Sequence, residues 1–267
     1  MIISHKYKYV FVQLPRSGST SIGKELCEHY DGEQILYKHS PYHEFLRIAN
    51  QQEKEYFVFS CIRNPLDEVV SRYVQMKDDN WGVYRDPRYW KRNGGGGWIP
   101  DYQLKQFADI ENNNLDFAAF FKKYYKLTYE NWSCLDHENF DFLIRFENLA
   151  SDFAEALQLI GIEPKRTIPV YHKTKNKKAN AFLEEYTPET YNQAKEIFGP
   201  FMKRWNYEFP QAWGDQSFPW YRQLEYNLLG IPREFYWRHW KRHRGHGIPQ
   251  FLLNLKNKNR KLSNNKT

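Results

Sequence analysis

The feature that most constrains the fold is the segment YVFVQLPRSGSTSI at residues 9–22. Residues 9–14 are mostly apolar and rich in β-branched and aromatic side chains, which predicts a short buried strand. Pro15 ends this strand because a proline cannot donate a hydrogen bond to a sheet. Gly18 and the hydroxyl-bearing residues around it open a helix that we expect to extend to about Tyr30. Exposed amide groups and the helix dipole at such a helix start attract an anion.

The residue types in this turn distinguish two kinds of phosphate-binding loop. The loop of nucleotide triphosphatases reads G-x-x-x-x-G-K-[ST], whereas here no Gly-Lys-Ser/Thr occurs and Arg16 precedes Gly18. A serine-rich helix cap without a ligand is the alternative. The order Pro-Arg-Ser-Gly-Ser-Thr resembles the 5′-phosphosulfate loop of sulfotransferases that use 3′-phosphoadenosine 5′-phosphosulfate (PAPS). The resemblance implies cofactor contacts from Arg16, Ser17, Gly18, Ser19, Thr20 and Ser21.

A second motif follows the clearest predicted strand, YFVFSCI at residues 56–62. Arg63 stands at its carboxyl end, where open α/β sheets bind ligands, and Ser71 lies near the start of the next helix. A guanidinium group and a hydroxyl suit a phosphate monoester. The segment resembles the 3′-phosphate motif of PAPS sulfotransferases. The alternative is an ion pair of Arg63 with Asp67 or Glu68, and a Ser71 that bonds its own helix backbone.

The order of predicted elements favours an α/β fold. Strands are predicted at residues 9–14, 33–39, 56–62 and 140–146, with a further strand at the N-terminus. Their alternation with helices favours a three-layer α/β/α arrangement around a central parallel sheet, the P-loop-like sulfotransferase fold. Helices are predicted at residues 18–30, 41–49 after a Ser40 cap, 65–76 after an Asn64 cap, 115–125, 151–160 (or from residue 148), and from Thr187-Pro188 onwards.

Composition and segment lengths restrict the class of protein. The 267 residues are 41% hydrophobic and 27% charged, which is typical of one folded domain. No stretch reaches the roughly 18 apolar residues of a membrane span, and the N-terminus lacks the apolar region of a signal peptide. Cys27, Cys61 and Cys134 are widely separated, so we expect neither a disulfide framework nor a metal site. These features favour a cytoplasmic protein.

The net charge of +7 belongs to the C-terminal tail. Residues 233–267 contain ten Lys/Arg and one acid, so the rest of the chain is close to neutral. We expect a sulfotransferase domain at residues 1–212 and an aromatic, basic and partly disordered extension at residues 213–267. Such a tail suits contact with a membrane surface or a polyanion, without specific binding of nucleic acid.

Sulfuryl transfer requires a base for the acceptor hydroxyl and a cation for the leaving phosphate oxygen. We assign the second role to Arg16, which acts by charge and hydrogen bonding because arginine does not release its proton. The segment YKHSPYHE at residues 37–44 is similar to the Tyr-His-x-His region of glycan 2-O-sulfotransferases. His39 is the first choice of base because an imidazole titrates near neutrality. Glu44 is the second choice and His43 the third.

Two further segments contribute to the predicted site. Residues 77–102 form a long aromatic, basic and glycine-rich loop, which is typical of a functional lid or of a mobile surface loop. The basic cluster at residues 171–178 lies where the resemblance implies contacts to the 3′-phosphate or adenine, by Lys173 and Thr174; a solvated loop is the alternative. The side chains in the first loop that suit an acceptor are Trp81, Trp90, Trp98, Arg85, Arg88, Lys91 and Arg92.

The resemblance covers roughly residues 8–210. It implies a PAPS-dependent sulfotransferase that needs no metal and releases adenosine 3′,5′-bisphosphate. We expect the acceptor to be a hydroxyl group of a carbohydrate. Two alternatives stay open at this point: a P-loop kinase that uses ATP, and a non-catalytic protein that binds polyanions through the basic tail.

Overall fold

The computed structural model describes residues 1–91, 97–131, 134–169 and 181–240. The strands within these ranges are β1 (Ile2–Ser4), β2 (Tyr9–Val12), β3 (Glu33–Gln34), β4 (Phe57–Ile62) and β5 (Phe142–Arg145). The α-helices within them are α1 (Ser19–His29), α2 (Tyr42–Ile48), α3 (Pro65–Lys77), α4 (Asp101–Asn113), α5 (Phe117–Tyr124), α6 (Leu149–Leu159), α7 (Pro188–Arg204) and α8 (Trp220–Phe235). A π-helical turn, Tyr236–Trp240, follows α8.

The chain divides into two compact units that alternate along the sequence. The first unit takes Met1–Ile62 and the described parts of residues 130–172 and 227–267. The second takes Arg63–Tyr129 and the described part of residues 173–226. The predicted division into a domain at 1–212 and an extension at 213–267 stays a prediction.

The first unit contains a five-stranded sheet in the order β3-β1-β2-β4-β5. Strands β2, β4 and β5 are parallel, whereas β1 runs antiparallel to both of its neighbours. The central parallel sheet of the prediction is therefore corrected to a mixed sheet. The reason is chain length: only residues 5–8 join β1 to β2, and a parallel pair needs a crossover of a dozen or more residues.

The predicted strand at residues 33–39 is also shortened by the structure. Only Glu33 and Gln34 pair with β1, in the register Ile2↔Gln34. Because β1 itself has three residues, it offers few backbone groups with which a longer edge strand can pair. The residues that follow instead form the connection to α2, which carries His39, whereas the candidate bases His43 and Glu44 lie on α2 itself.

Apolar residues cover both faces of β2. Tyr9 and Phe11 pack in a cluster with residues of α1 and α6, whereas Val10 and Val12 pack in a cluster with residues of α2. Successive side chains of a strand point to opposite faces, so each face of this strand is buried. The α/β class is thus confirmed, while the three-layer arrangement stays a prediction.

The second unit has an aromatic core between its helices. Tyr73 of α3 packs at its edge against Phe117 of α5, with ring centroids 5.5 Å apart. Tyr186 packs on the same phenylalanine at 4.8 Å, and Trp213 stacks on Tyr191 of α7 at 4.3 Å. Edge-to-face and offset-stacked rings are the geometries that aromatic quadrupoles favour.

The predicted starts of α3 and α7 are confirmed by their caps. The Asn64 side chain accepts a hydrogen bond of 2.9 Å from the Leu66 amide, and Pro65 is the first helical residue. Thr187 and Thr190 form a reciprocal capping box at α7. The start of α2 is one residue later than predicted: Pro41, with φ −65° and ψ 154°, is the N-cap residue in place of Ser40.

Two sequence-level expectations concern the whole chain. No disulfide bond joins Cys27, Cys61 or Cys134, all of which lie in the described ranges. Among the described helices, none combines the length and the apolar composition that a membrane crossing requires.

Candidate active site

The loop between β2 and α1 opens the N-terminus of α1. Gly18, the N-cap residue, has φ 76°, and Arg16 also has a left-handed backbone with φ 61°. Holding a non-glycine residue such as Arg16 in this backbone region costs about 1–3 kcal/mol of folding free energy. Residues strained in this way cluster at functional sites. Because the N-cap residue is a glycine, no side chain caps the amides of α1 from this position, and the first turn holds no acidic residue. The end of α1 therefore keeps the polarity that attracts an anion.

The hydroxyl groups of this loop have different roles. Ser17 and Ser19 both donate hydrogen bonds to the carbonyl oxygen of Leu14, and both side chains are buried. Ser21 is buried as well, whereas Thr20 is exposed. The Ser17 and Ser19 hydroxyls thus hold the turn together, which leaves their backbone amides as the groups suited to an anion. Within this predicted set, Thr20 offers an exposed hydroxyl.

Close packing explains the glycine at position 18. A Cβ atom added there would lie 3.0 Å from Leu149 Cδ1 and 3.2 Å from Phe146 Cδ2. These two residues belong to the Phe-Glu-Asn-Leu turn after β5, which packs against the loop at Gly18. Both the positive φ and this contact therefore require glycine.

The segment at residues 37–44 contacts the loop through its first half. His39 Nδ1 lies 3.2 Å from the carbonyl oxygen of Gln13, the residue after β2. A carbonyl oxygen only accepts, so the hydrogen bond requires the tautomer in which Nδ1 carries the proton. His39 has φ 71°, a second left-handed non-glycine residue beside the loop. The structure thus brings the first-choice base into contact with Gln13, three residues before Arg16 in the chain.

Lys38 is a functional candidate that sequence reasoning missed. Its Nζ donates a hydrogen bond of 2.8 Å to Thr20 Oγ1 on the first turn of α1. Desolvation by neighbouring protein atoms lowers the pKa of Lys38 from 10.5. Lys38 therefore adds a cation at the first turn of α1. The signal in the sequence was its position next to His39, without any pattern that predicted the contact.

The second half of the segment holds buried polar atoms that lack partners. Ser40 Oγ, both ring nitrogens of His43 and Glu44 Oε1 are buried, and within the described ranges none has a hydrogen-bond partner. Buried polar groups are nearly always satisfied in folded proteins, so four exceptions on one segment indicate a place for a ligand or water. Two of the three predicted bases, His43 and Glu44, are thus among the residues with unsatisfied polar atoms.

A chain of charges leads to His43. Its Nδ1 lies 3.6 Å from Asp136 Oδ2, and Asp136 Oδ1 lies 2.6 Å from Arg238 Nη1. Arg238 also binds Glu234 at 2.7 Å. Burial opposes ionisation of Asp136, but the contacts with His43 and Arg238 outweigh it and lower the pKa of this carboxyl below 3.8. Asp136 and Arg238 were missed because they are far from His43 in sequence.

The second motif lies in the second unit, at the start of α3. Arg63 Nε and Nη2 both contact Asp67 Oδ2, at 2.9 and 2.8 Å, so the ion pair that sequence analysis held as an alternative is present. Glu68 binds Arg72 instead. Ser71 is half-buried, and among the described residues no hydrogen bond to its hydroxyl occurs. The Asp67 carboxylate fixes the guanidinium plane of Arg63 without occupying all five of its donors.

The predicted acceptor loop is described except for residues 92–96. The segments on either side of these residues pair with each other, since the amides of Trp98 and Ile99 both donate to the Tyr89 carbonyl oxygen. Trp81 and Trp98 are exposed, whereas Trp90 donates its indole N–H to the Tyr84 carbonyl oxygen at 3.1 Å. The basic side chains of this loop are partly neutralised, because Arg85 pairs with Asp79 and Glu111 and Arg88 pairs with Asp86.

Three predicted residues lie outside the described part of the chain: Arg92, Lys173 and Thr174. Within the described part, no group of three or more His, Cys, Asp or Glu side chains is placed to hold a metal ion.

These features describe an α/β protein in which the loop before α1 has the polarity that attracts an anion. A family model described as the sulfotransferase family matches residues 1–208, which is most of the chain. The chain belongs to the sulfotransferase family, and the resemblance seen in the sequence is confirmed. Family membership implies sulfuryl transfer to a hydroxyl-bearing acceptor. Searches of curated proteins and of solved structures found no match.

We expect Gly18→Ala to destabilise the protein more than Gly161→Ala. Gly161 also has a positive φ, 83°, but open space where a Cβ atom would lie, so its substitution costs only the strained backbone, about 1–2 kcal/mol. At Gly18 the contacts with Phe146 and Leu149 add an overpacking cost of about 1–3 kcal/mol. Urea unfolding of both variants measures the difference. Equal losses would contradict the packing role of Gly18.

We expect the affinity for adenosine 3′,5′-bisphosphate to fall at alkaline pH through Lys38. Because its pKa is lowered from 10.5, the Lys38 ammonium group loses its proton at a lower alkaline pH than an ordinary lysine does. Its attraction to a phosphate therefore weakens as the pH rises. Calorimetric titration across the alkaline range measures this decline. Lys38→Arg retains its charge and should give a flatter curve. Identical curves for the two proteins would remove Lys38 from the site.

Proposed function

We propose that the protein transfers the sulfuryl group of PAPS to a hydroxyl group of a carbohydrate and releases adenosine 3′,5′-bisphosphate. The observation that carries the proposal is the start of α1, which has no side-chain cap and has Arg16 and Lys38 beside it. Sulfotransferases generally use PAPS, and its 5′-phosphosulfate is an anion of the kind that a helix N-terminus binds.

We assign residues to the two phosphate-bearing ends of the cofactor separately, each from the features of a single unit. The backbone amides of residues 17–21, together with Thr20 and Arg16, would hold the 5′-phosphosulfate. Arg63 and Ser71 would hold the 3′-phosphate. The Asp67 ion pair supports this role of Arg63, because a guanidinium with a fixed plane loses less conformational entropy when it binds a phosphate. Lys173 and Thr174 keep their predicted contacts to the 3′-phosphate or adenine.

The reaction divides between a base and two cations. When bound, PAPS supplies the sulfuryl group for in-line transfer to the acceptor oxygen. His39 takes the proton of the acceptor hydroxyl at Nε2, since its Nδ1–H is committed to the Gln13 carbonyl oxygen. Arg16 and Lys38 attract the negative charge that develops on the leaving phosphate oxygen. No step requires a metal ion.

A specific observation favours His43 as a second candidate for the base. Its Nδ1 faces the buried carboxylate of Asp136, and its Nε2 is buried without a partner among the described residues. A carboxylate behind one imidazole nitrogen favours a proton on that nitrogen and leaves the other nitrogen to accept one. Glu44 lies next in sequence and also has an unsatisfied oxygen. The test of the base must therefore include all three side chains.

A carbohydrate acceptor is favoured by the loop at residues 77–102. Trp81 and Trp98 expose large apolar rings, which stack on the apolar faces of sugars. Arg85 and Arg88 pair with acidic residues, so they contribute less to recognition of an acidic sugar than the sequence predicts. The tail at residues 233–267 remains a proposed contact for a membrane surface or polyanion.

We expect adenosine 3′,5′-bisphosphate to bind with micromolar affinity, about −8 kcal/mol, and ATP with magnesium to bind weakly. Arg63→Ala should weaken bisphosphate binding roughly tenfold to a hundredfold, because it removes charge-assisted hydrogen bonds. Lys105→Ala, which removes one exposed cation from the same unit, serves as the control. Calorimetric titration of the three proteins measures both effects.

The same titration distinguishes the alternatives. Tight binding of ATP with magnesium, and none of the bisphosphate, would favour the kinase. Binding of neither nucleotide would leave the polyanion-binding protein. Because Arg63→Ala also removes the ion pair with Asp67, thermal unfolding of the variant is measured alongside. A folded variant with unchanged affinity would remove Arg63 from the cofactor site.

We expect His39→Asn to lower the rate of sulfuryl transfer by about 10²–10⁴-fold without weakening bisphosphate binding. Asparagine tolerates the left-handed backbone at this position and still donates to a carbonyl oxygen, but it does not accept a proton. Transfer from radiolabelled PAPS is measured on a panel of sugars. Matched variants are His43→Asn and Glu44→Gln. A loss confined to His43→Asn would assign the base to His43 instead.

A further inference from the structure

The outer face of α8 carries a continuous apolar stripe. We call it the α8 stripe and define it by Trp220, Tyr221, Leu224, Leu228, Ile231 and Phe235. Their exposed fractions range from 46% to 77%, which is high for large apolar side chains. Apart from the adjacent Trp220 and Tyr221, successive members are three or four residues apart, the spacing that puts side chains on one face of a helix. At about 100° per residue the stripe spans an arc of about 100°.

The charged residues of α8 lie away from this stripe. Arg222 binds Glu196 at 3.0 Å, and Glu225 accepts a hydrogen bond of 3.0 Å from the Thr128 amide. Glu234 is exposed, but it pairs with Arg238. Surface helices usually turn their apolar face inward and their charged face to water. In α8 charged side chains make contacts within the protein, while the apolar stripe faces outward.

The sequence after α8 has the charge that an anionic surface attracts. Residues 241–267 contain eight Lys/Arg and no Asp or Glu, and they follow directly after the π-helical turn. An apolar helix face with tryptophan, continued by clustered basic residues, is the combination that binds the interface of anionic membranes. A second copy of the chain packed stripe to stripe would cover the apolar residues, but it would also bring a second tail of the same positive charge.

We propose that α8 docks the protein on an anionic lipid surface. The stripe lies in the boundary between the headgroups and the acyl chains, and the basic residues after it contact lipid phosphates. The helix lies in the plane of the surface, since its 16 residues give a length of about 24 Å and none of the described helices can span a bilayer. This inference does not depend on the sulfotransferase reaction.

The experiment is co-sedimentation of the full chain with vesicles of phosphatidylcholine alone and of phosphatidylcholine mixed with phosphatidylserine. We expect at least about tenfold stronger binding to the mixed vesicles, and weaker binding as salt is raised. The double variant Leu228→Glu, Ile231→Glu should lose binding at least about tenfold. Both positions are exposed, so the substitutions remove no packing from the interior. Leu159→Glu, an equally exposed leucine on α6, is the control and should bind as wild type does.

Four results would overturn the proposal. The first is an absence of binding to mixed vesicles, and the second is equal binding by wild type and the double variant. The third is a wild-type dimer in sedimentation that the double variant converts to a monomer, without any vesicle binding, because a second copy would then cover the stripe. A chain truncated after residue 240 is compared as well. If only the truncated chain bound vesicles, the tail itself would cover the stripe and the proposal would fail.

Discussion

The candidate site depends on one steric constraint, the space above the Cα atom of Gly18. Leu149 and Phe146 fill that space to within 3.0 and 3.2 Å of where a Cβ atom would lie. Their packing fixes the turn that leaves β2 and starts α1. The Ser17 and Ser19 hydroxyls complete the turn by binding the Leu14 carbonyl oxygen. The anion-attracting end of α1 is thus held by apolar packing on one side and by buried hydrogen bonds on the other.

The segment at residues 38–44 both contacts the loop before α1 and contains buried polar atoms without partners among the described residues. Lys38 and His39 contact the loop through Thr20 and Gln13, so they add a cation and an imidazole to the helix start. Ser40 and Glu44, a few residues further on, keep buried polar atoms without partners among the described residues. Polar atoms left in this way cost free energy in the folded state. A ligand that forms hydrogen bonds with such atoms recovers that cost when it binds.

The charge chain from Arg238 through Asp136 to His43 links the site to a residue beyond the part of the chain that the family model matches, residues 1–208. Arg238 lies in the π-helical turn after α8, the helix with the exposed apolar stripe. The C-terminal segment therefore contributes a side chain to the surroundings of a candidate base in the same unit. In this protein the residues after the family domain are part of the folded structure at least as far as this turn.

The sequence by itself determined the features that depend on local chemistry. The β2–α1 loop, the Asn64 cap and the helix start at Thr187-Pro188 were predicted because turn and cap residues act within a few positions of the chain. The family could be recognised from the same kind of signal, two motifs that each follow a strand. For Arg63 the sequence left Asp67 and Glu68 open as partners, and the structure shows the pair with Asp67. Only the tertiary structure decided that Lys38 meets Thr20 and that Asp136 stands between His43 and Arg238. These pairings depend on which distant segments pack together, and the local pattern of residues does not encode those distances.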